Sequence, residues 1–117
     1  YSLMELYEDI GFLYALQSDF QQAIDYFSMQ LLIQEQRFGA NHPSVALTYK
    51  EIANCQNFMG EHELALMNYG KVVEIQQLSL SAKKVDPVTM QETLSEIHLI
   101  YEQLNITFKP GVSRLRN

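Results

Sequence analysis

Side chains that could act as nucleophiles, acid–base groups or metal ligands are few and widely spaced in this sequence. The histidines, His42, His62 and His98, lie twenty or more positions apart, and Glu61-His62-Glu63 is not the H-E-x-x-H motif of zinc hydrolases. One cysteine, Cys55, together with scattered histidines does not make a zinc site. We therefore expect no metal, no cofactor and no catalytic residue.

Two further patterns do not indicate a phosphate-binding or acid–base site. Gly70-Lys71 lacks the glycine that a phosphate-binding loop requires five residues before its Gly-Lys pair, because that position is Ala65. Glu92 and Glu96 lie four residues apart, which on a helix places two carboxylates on one solvated face. The chain is not expected to be an enzyme.

Composition narrows the class of protein. The 117 residues are 47% hydrophobic, which is enough for one domain with a core. No apolar run approaches the roughly 20 residues that span a bilayer, so a membrane segment is not expected. The net charge is −6, and residues 1–36 contain no Lys or Arg. Such a chain repels phosphate backbones, which argues against nucleic acid as a partner.

Three features of the sequence concern the cellular compartment, the length of the parent protein and glycosylation. Cys55 cannot form an internal disulfide, and its predicted place in mid-helix is typical of a small buried hydrophobe, which fits a cytoplasmic protein. The sequence begins with Tyr1, from which we expect a piece of a longer protein. The match of Asn105-Ile106-Thr107 to a glycosylation site is interpreted as chance.

Helical spacing of apolar residues predicts an all-α chain of five helices. Asp19 is a suitable N-cap, Pro43 suits a first helical position, and Gly39 and Gly60 can end helices. The predicted helices cover residues 2–17, Phe20 to Phe38, Pro43 to about Met59, about His62 to Leu80, and a stretch that follows Asp86-Pro87 and ends near Asn105.

Parts of the chain recur at a fixed distance. Tyr7 and Tyr49 are 42 positions apart, as are Ala23 and Ala65, whereas Ile97 follows Ile52 by 45. A period in this range predicts stacked helix pairs, because each pair has an apolar face that the next pair buries. We predict a repeat domain over residues 1–105, with repeats at 1–39 and 40–82, a half repeat or capping helix at 86–105, and a tail at 106–117.

These landmarks resemble the tetratricopeptide repeat, in the 42-residue form found in kinesin light chains. The matching positions are Tyr7, Ile10, Gly11, Tyr14, Phe20, Ala23 and Phe27, then Tyr49, Ile52, Ala53, Gly60, Ala65 and Tyr69, then Leu94, Ile97 and Tyr101. The linker with Gly39 and His42-Pro43 carries the light-chain character. The resemblance implies a right-handed α-solenoid that serves as an adaptor or scaffold and binds a peptide or helix of a partner protein.

The chain departs from the family pattern at several positions. Gln30 and Val72 replace the usual alanine late in the second helix of a pair. Glu8-Asp9 and Lys50-Glu51 replace an Asn-Asn pair, and His98 replaces a small residue. The acidic-peptide specificity of kinesin light chains should therefore not be carried over.

The resemblance places partner binding on the concave side, which the first helix of each pair lines. Helical spacing predicts this groove to present Glu5, Glu8, Phe12, Ala15, Leu16, Leu47, Lys50, Asn54, Asn57, Glu92, Ser95, Leu99 and Glu102. Its mixture of apolar and acidic groups favours a basic or amphipathic protein segment. Lys50 and Asn54 resemble half of a clamp for a C-terminal carboxylate, but the matching basic residue on a neighbouring first helix is lacking.

A second interpretation is that the chain is a structural spacer or an oligomerisation segment of a longer solenoid. About three repeats are needed for a stable stack, and two and a half are present, so the ends could meet further repeats or a second copy. A regulatory enzyme subunit is a third interpretation, which no residue supports.

Overall fold

A computed structural model describes residues 2–81 and 87–104. Its helices are α1 (Leu3–Leu16), α2 (Phe20–Phe38), α3 (Pro43–Phe58), α4 (His62–Ser81) and α5 (Pro87–Gln103). The described residues contain no strand, which confirms the predicted all-α fold of helix pairs. The capping role of Asp86, the helix end near Asn105 and the tail at 106–117 fall outside the described residues. The repeat boundaries stay a prediction.

The first three helices begin at residues whose side chains accept hydrogen bonds from free backbone N–H groups. Ser2 Oγ accepts from the N–H of Glu5 at 3.2 Å, and Asp19 Oδ1 accepts from the N–H of Gln22 at 3.4 Å. His42 Nδ1 accepts from the N–H of Ser44 at 3.1 Å, and Pro43 follows it. These contacts confirm Asp19 as a helix start and show His42 to be another, since an uncapped first turn leaves its donors unpaired.

The turns inside the two pairs use the same backbone shape. Gly60, between α3 and α4, has φ +82° and Ser18, 42 positions earlier between α1 and α2, has φ +62°. Glycine adopts this region freely, whereas a serine there is strained. Gly39 also has positive φ, +88°, at the end of α2. The repeat therefore extends to the turns.

The core is divided into three clusters arranged along the stack. In one cluster Ile52 and Cys55 of α3 pack on Ala23 and Phe27 of α2. The others combine Val45, Ala46, Val72 and Ile75, and Ala53, Ala65, Tyr69, Ile97 and Ile100. Each cluster joins helices that are close neighbours in sequence, as expected of a repeat stack rather than a closed bundle.

Small residues at the helix crossings are buried, and the structure shows what lies against them. Ala53 of α3 and Ala65 of α4 share one cluster. Gly11 lies directly over the ring of Phe27, and a Cβ atom there would be 2.8 Å from its Cε1. Because the Phe27 ring is only 1% exposed, it has little room to move.

Two glycines in mid-helix provide a matched test of this packing. Gly70 on α4 is exposed, and a Cβ atom there would meet nothing within 4 Å. We expect Gly70→Ala to raise the free energy of unfolding by about 0.5–1 kcal/mol, because alanine restricts the unfolded chain. We expect Gly11→Ala to lower it by about 1–3 kcal/mol through overpacking. Urea unfolding measures both, and a similar gain from both substitutions would contradict the close contact.

Candidate functional site

The first helices of the pairs, α1, α3 and α5, form one face of the stack, which we call the inner face. Lys50 Nζ of α3 lies 3.5 Å from Glu96 Oε1 of α5 and links two of these helices across the face. Glu8 of α1 and Glu96 are both close enough to Glu51 of α3 to raise its pKa. Charged side chains of all three helices therefore share one surface.

The predicted groove residues fall into two sets by exposure. Eight are exposed: Glu5, Phe12, Leu16, Leu47, Glu92, Ser95, Leu99 and Glu102. The others are half-buried: Glu8, Ala15, Lys50, Asn54 and Asn57. The first set is the more accessible one, and within it Phe12 packs edge-on against Phe27 and Glu102 pairs with His98.

Four of the half-buried residues are already bound within the chain. Glu8 Oε2 accepts a hydrogen bond from Gln30 Nε2 at 2.9 Å. Asn54 Oδ1 accepts from the hydroxyl of Tyr69, and Asn57 Oδ1 lies 2.6 Å from His62 Nδ1. With Lys50 paired to Glu96, both groups of the half-clamp, Lys50 and Asn54, have partners in the fold.

The contact at Glu8 accounts for one departure from the repeat pattern. Gln30, which stands where alanine is usual, is 3% exposed. A buried amide is costly unless it is hydrogen-bonded, and its Nε2 donates to Glu8. Gln30 and Glu8 therefore form one unit, and Glu8 supports the fold as well as lining the inner face.

Apolar side chains are prominent among the exposed groups of the inner face. Leu16 is 83% exposed, and Leu47 and Leu99 are 58% and 57% exposed. Phe58 on α3 and Val88 on α5 are also exposed, and sequence reasoning missed both, but the Phe58 ring stacks on Phe20 of α2 with centroids 5.3 Å apart and is therefore not assigned to the inner face. The register could have found Phe58, since it lies 42 positions after Leu16. Exposed apolar residues at this density mark interaction surfaces.

Glu51 is an acidic residue of this face that sequence reasoning did not select. Burial raises the pKa of its carboxyl, Lys50 partly offsets this, and the carboxylates of Glu8 and Glu96 raise the pKa further. Each first helix thus contributes one carboxylate to a shared negative field. The three negative charges face a single lysine, so the field is not neutralised within the fold.

Tyr69 reaches this face from α4 and is 2% exposed. Its one hydroxyl proton goes to Asn54, so the Glu96 carboxylate acts on Tyr69 chiefly through its charge. Burial and that negative charge together raise the pKa of Tyr69. Glu96 Oε2 is buried and has no hydrogen-bond partner among the described residues.

Other reactive groups lie away from the inner face. Cys55 is 4% exposed, which confirms the predicted buried thiol, and burial raises its pKa to about 11.

A cleft of about 420 Å³ lies between the α2–α3 linker and the residues Leu78 and Ser79. Among residues 2–81 and 87–104 no set of three or more His, Cys, Asp or Glu side chains is placed to hold a metal ion. No described helix is long and apolar enough to cross a membrane.

Comparison with known proteins gives one positive result. The family model of the tetratricopeptide repeat matches residues 2–78, which is more than half of the chain and contains α1, α2, α3 and most of α4. A comparison with curated proteins found no match.

The electrostatics at Glu51 lead to a testable pH dependence. A folded-state pKa above the ordinary 4.5 means that ionising Glu51 costs stability as the pH rises through that folded-state pKa. We expect Glu51→Gln to raise the melting temperature at pH 7 and to change it much less at pH 4, where the native carboxyl binds a proton. Differential scanning calorimetry at the two pH values measures this, with Glu74→Gln on exposed α4 surface as the control. A lower melting temperature at pH 7 would contradict the desolvation of Glu51.

Proposed function

Because the chain belongs to the tetratricopeptide repeat family, whose members are protein–protein interaction modules, we propose that its inner face binds a basic, amphipathic segment of a partner protein. The bound segment is a peptide or a helix, and the chain acts as an adaptor or scaffold. No reaction is involved, since the inner face offers surface and charge.

The observation that carries the proposal is the composition of the exposed inner face. Exposed leucines lie there together with the exposed carboxylates of Glu5 and Glu92. Lys50 is the single Lys or Arg of α1, α3 and α5, and Glu96 already holds it. An acidic peptide would therefore meet repulsion, whereas arginines or lysines would find unpaired carboxylates.

Electrostatic attraction and apolar burial contribute to binding in different ways. Opposite charge accelerates the encounter and is weakened by salt. Apolar contact with Leu16, Leu47 and Leu99 holds the partner, because burying each exposed leucine side chain contributes roughly 1.5–3 kcal/mol before the cost of ordering. Helix-in-groove binding uses this combination.

The finer assignment within the family is also part of the proposal. The 42-residue register and the His42-Pro43 linker favour the kinesin-light-chain type of repeat. The His42 cap and the stacking of His42 on Phe38, with ring centroids 4.7 Å apart, give the linker a physical role. A cytoplasmic location fits the buried Cys55 thiol, which a reducing compartment leaves unmodified.

A charge-reversal experiment tests the inner face. The probes are two synthetic amphipathic helices with identical leucine positions, one bearing arginines and one bearing glutamates on its polar side. We expect the arginine peptide to bind and the glutamate peptide not to bind. Glu5→Lys combined with Glu92→Lys should weaken the binding of the arginine peptide about tenfold, as fluorescence anisotropy at low salt measures.

The control reverses the same amount of charge on the outer helices, with Asp25→Lys and Glu74→Lys, both at exposed positions of α2 and α4. This variant should keep nearly the full affinity for the arginine peptide. Equal losses in the two double variants, or equal affinity for both peptides, would refute binding at the inner face.

A further inference from the structure

The first helices carry their charged groups toward their N-terminal ends. Phe12 on α1, Asn54 on α3 and Leu99 on α5 are equivalent in the repeat register. The parts of the three helices that precede these residues contain six carboxyl groups and one lysine: Glu5, Glu8, Asp9, Lys50, Glu51, Glu92 and Glu96. The parts that follow contain one charged residue, Glu102, whose Oε1 lies 3.1 Å from His98 Nε2.

Exposed apolar side chains lie toward the C-terminal ends of α1 and α5. Each of them follows an exposed carboxylate by seven positions, and the pairs are Glu5 with Phe12, Asp9 with Leu16, and Glu92 with Leu99. Seven residues of helix span about 10.5 Å. We call the first member of each pair the acidic edge (Glu5, Asp9 and Glu92) and the second member the apolar edge (Phe12, Leu16 and Leu99).

Contacts between the helices show that the acidic groups form a row across the stack. Glu51 of α3 lies close enough to Glu8 of α1 and Glu96 of α5 for both carboxylates to raise its pKa. Asp9 stands at the register position of Glu51 and Glu96 and is exposed. Acidic residues thus recur at one level on successive first helices, and the acidic edge crosses the helices rather than following one of them.

The stability of the fold does not account for these carboxylates. The helix dipole favours acidic residues within the first turn, which on α1 includes Glu5 but not Glu8. Glu51 and Glu96 also lie beyond the first turn of their helices. Burial opposes the ionisation of Glu51, and the buried Oε2 of Glu96 has no hydrogen-bond partner among the described residues. Carboxylates that cost the fold free energy and share one surface are typical of a functional site.

An exposed leucine lies at the level of the acidic edge. Leu47 follows Glu5 by 42 positions and precedes Glu92 by 45, so it stands between them in the register. The charged group of an arginine or lysine is carried on an apolar stem, which can pack on a leucine while the charge reaches a carboxylate. This arrangement fits a long basic side chain better than a small polar one.

Charge complementarity and size favour one kind of occupant. The inner face of a second copy of the chain would bring carboxylates against carboxylates, which is unfavourable. A helix with one basic and one apolar side complements both edges at once. Such a helix is about 10–12 Å wide with its side chains, which matches the roughly 10.5 Å between the two edges.

We infer that the partner's segment is an amphipathic helix that lies across α1, α3 and α5, with its basic side on the acidic edge and its apolar side on the apolar edge. A helix parallel to α1 would instead need basic residues at one end and apolar residues at the other. Neighbouring helices are about 8–10 Å apart, so the crossing from α1 to α5 takes about 11–13 residues of helix. This placement rests on the function proposed for the inner face and adds the direction in which the partner lies.

Spin-labelled peptides locate the two sides of the bound helix. The probe is the arginine–leucine helix described above, made once with a nitroxide beside the arginines and once with a nitroxide beside the leucines. NMR spectra of the full chain record which backbone amides lose signal. We expect the arginine-side label to remove more signal at the acidic edge than at the apolar edge, and the leucine-side label to do the reverse. The glutamate peptide with either label is the control and should leave both edges unchanged.

The results distinguish the placement of the partner from the function on which it rests. An arginine peptide that does not bind, or that removes signal only from α2 and α4, would refute the proposed function. Binding at the inner face with equal signal loss at both edges, with the opposite pattern, or with loss along α1 alone would overturn the placement and leave the function standing.

A variant of the full chain tests whether the occupant belongs to a partner. Residues 105–117 contain Lys109, Arg114 and Arg116 and no Asp or Glu. Replacing all three basic residues by glutamine should change the affinity for the arginine peptide by less than about threefold at roughly 0.15 M salt, where distant charges are screened. An increase of about tenfold or more would mean that these residues compete for the acidic edge, which would overturn the assignment to a partner protein.

Discussion

The contact between the second helix of one pair and the first helix of the next is the constraint on which the structure depends. A helix pair alone leaves an apolar side in water, and only the following pair can cover it. Ile52 and Cys55 meet this need against Phe27, and Ile97 and Ile100 meet it against Tyr69. The chain therefore forms a stack in which the first helices share one face.

The sequence was sufficient to predict the helices because the residues that begin and end a helix act locally. Asp19, His42 and Pro43 mark helix starts by chemistry that acts within one turn, and α2 begins and ends where the spacing predicts. The recurrence at 42 residues was sufficient to predict the stack of helix pairs, since equivalent residues must be buried in equivalent ways. The same 42-residue register would also have predicted that Phe58 is exposed, because Leu16 is the equivalent position of the first repeat.

Which side chains of the inner face are free was less predictable. Helical spacing gives the direction in which a side chain points but does not give the groups that it contacts. Asn54 and Asn57 were predicted to face a ligand, yet Tyr69 and His62 of α4 hold them. Whether a polar group is free depends on how far a neighbouring helix reaches, which is a property of packing. Glu51 was missed for the same reason, since its significance comes from the carboxylates of two other helices.

The two joints of the stack differ in how firmly they are fixed. At the first joint Gln34 and Thr48 bond to each other across the helices, and sliding α3 along α2 would break that buried bond. At the second joint the equivalents are Gln76 and Thr93, but Thr93 Oγ1 donates to the carbonyl of Thr89, and Gln76 Oε1 has no partner among the described residues. Sliding α5 along α4 therefore sacrifices no such bond. A buried hydrogen bond thus fixes the position of α3 along α2, whereas the position of α5 is fixed by packing and by the partly exposed Lys50–Glu96 pair with α3.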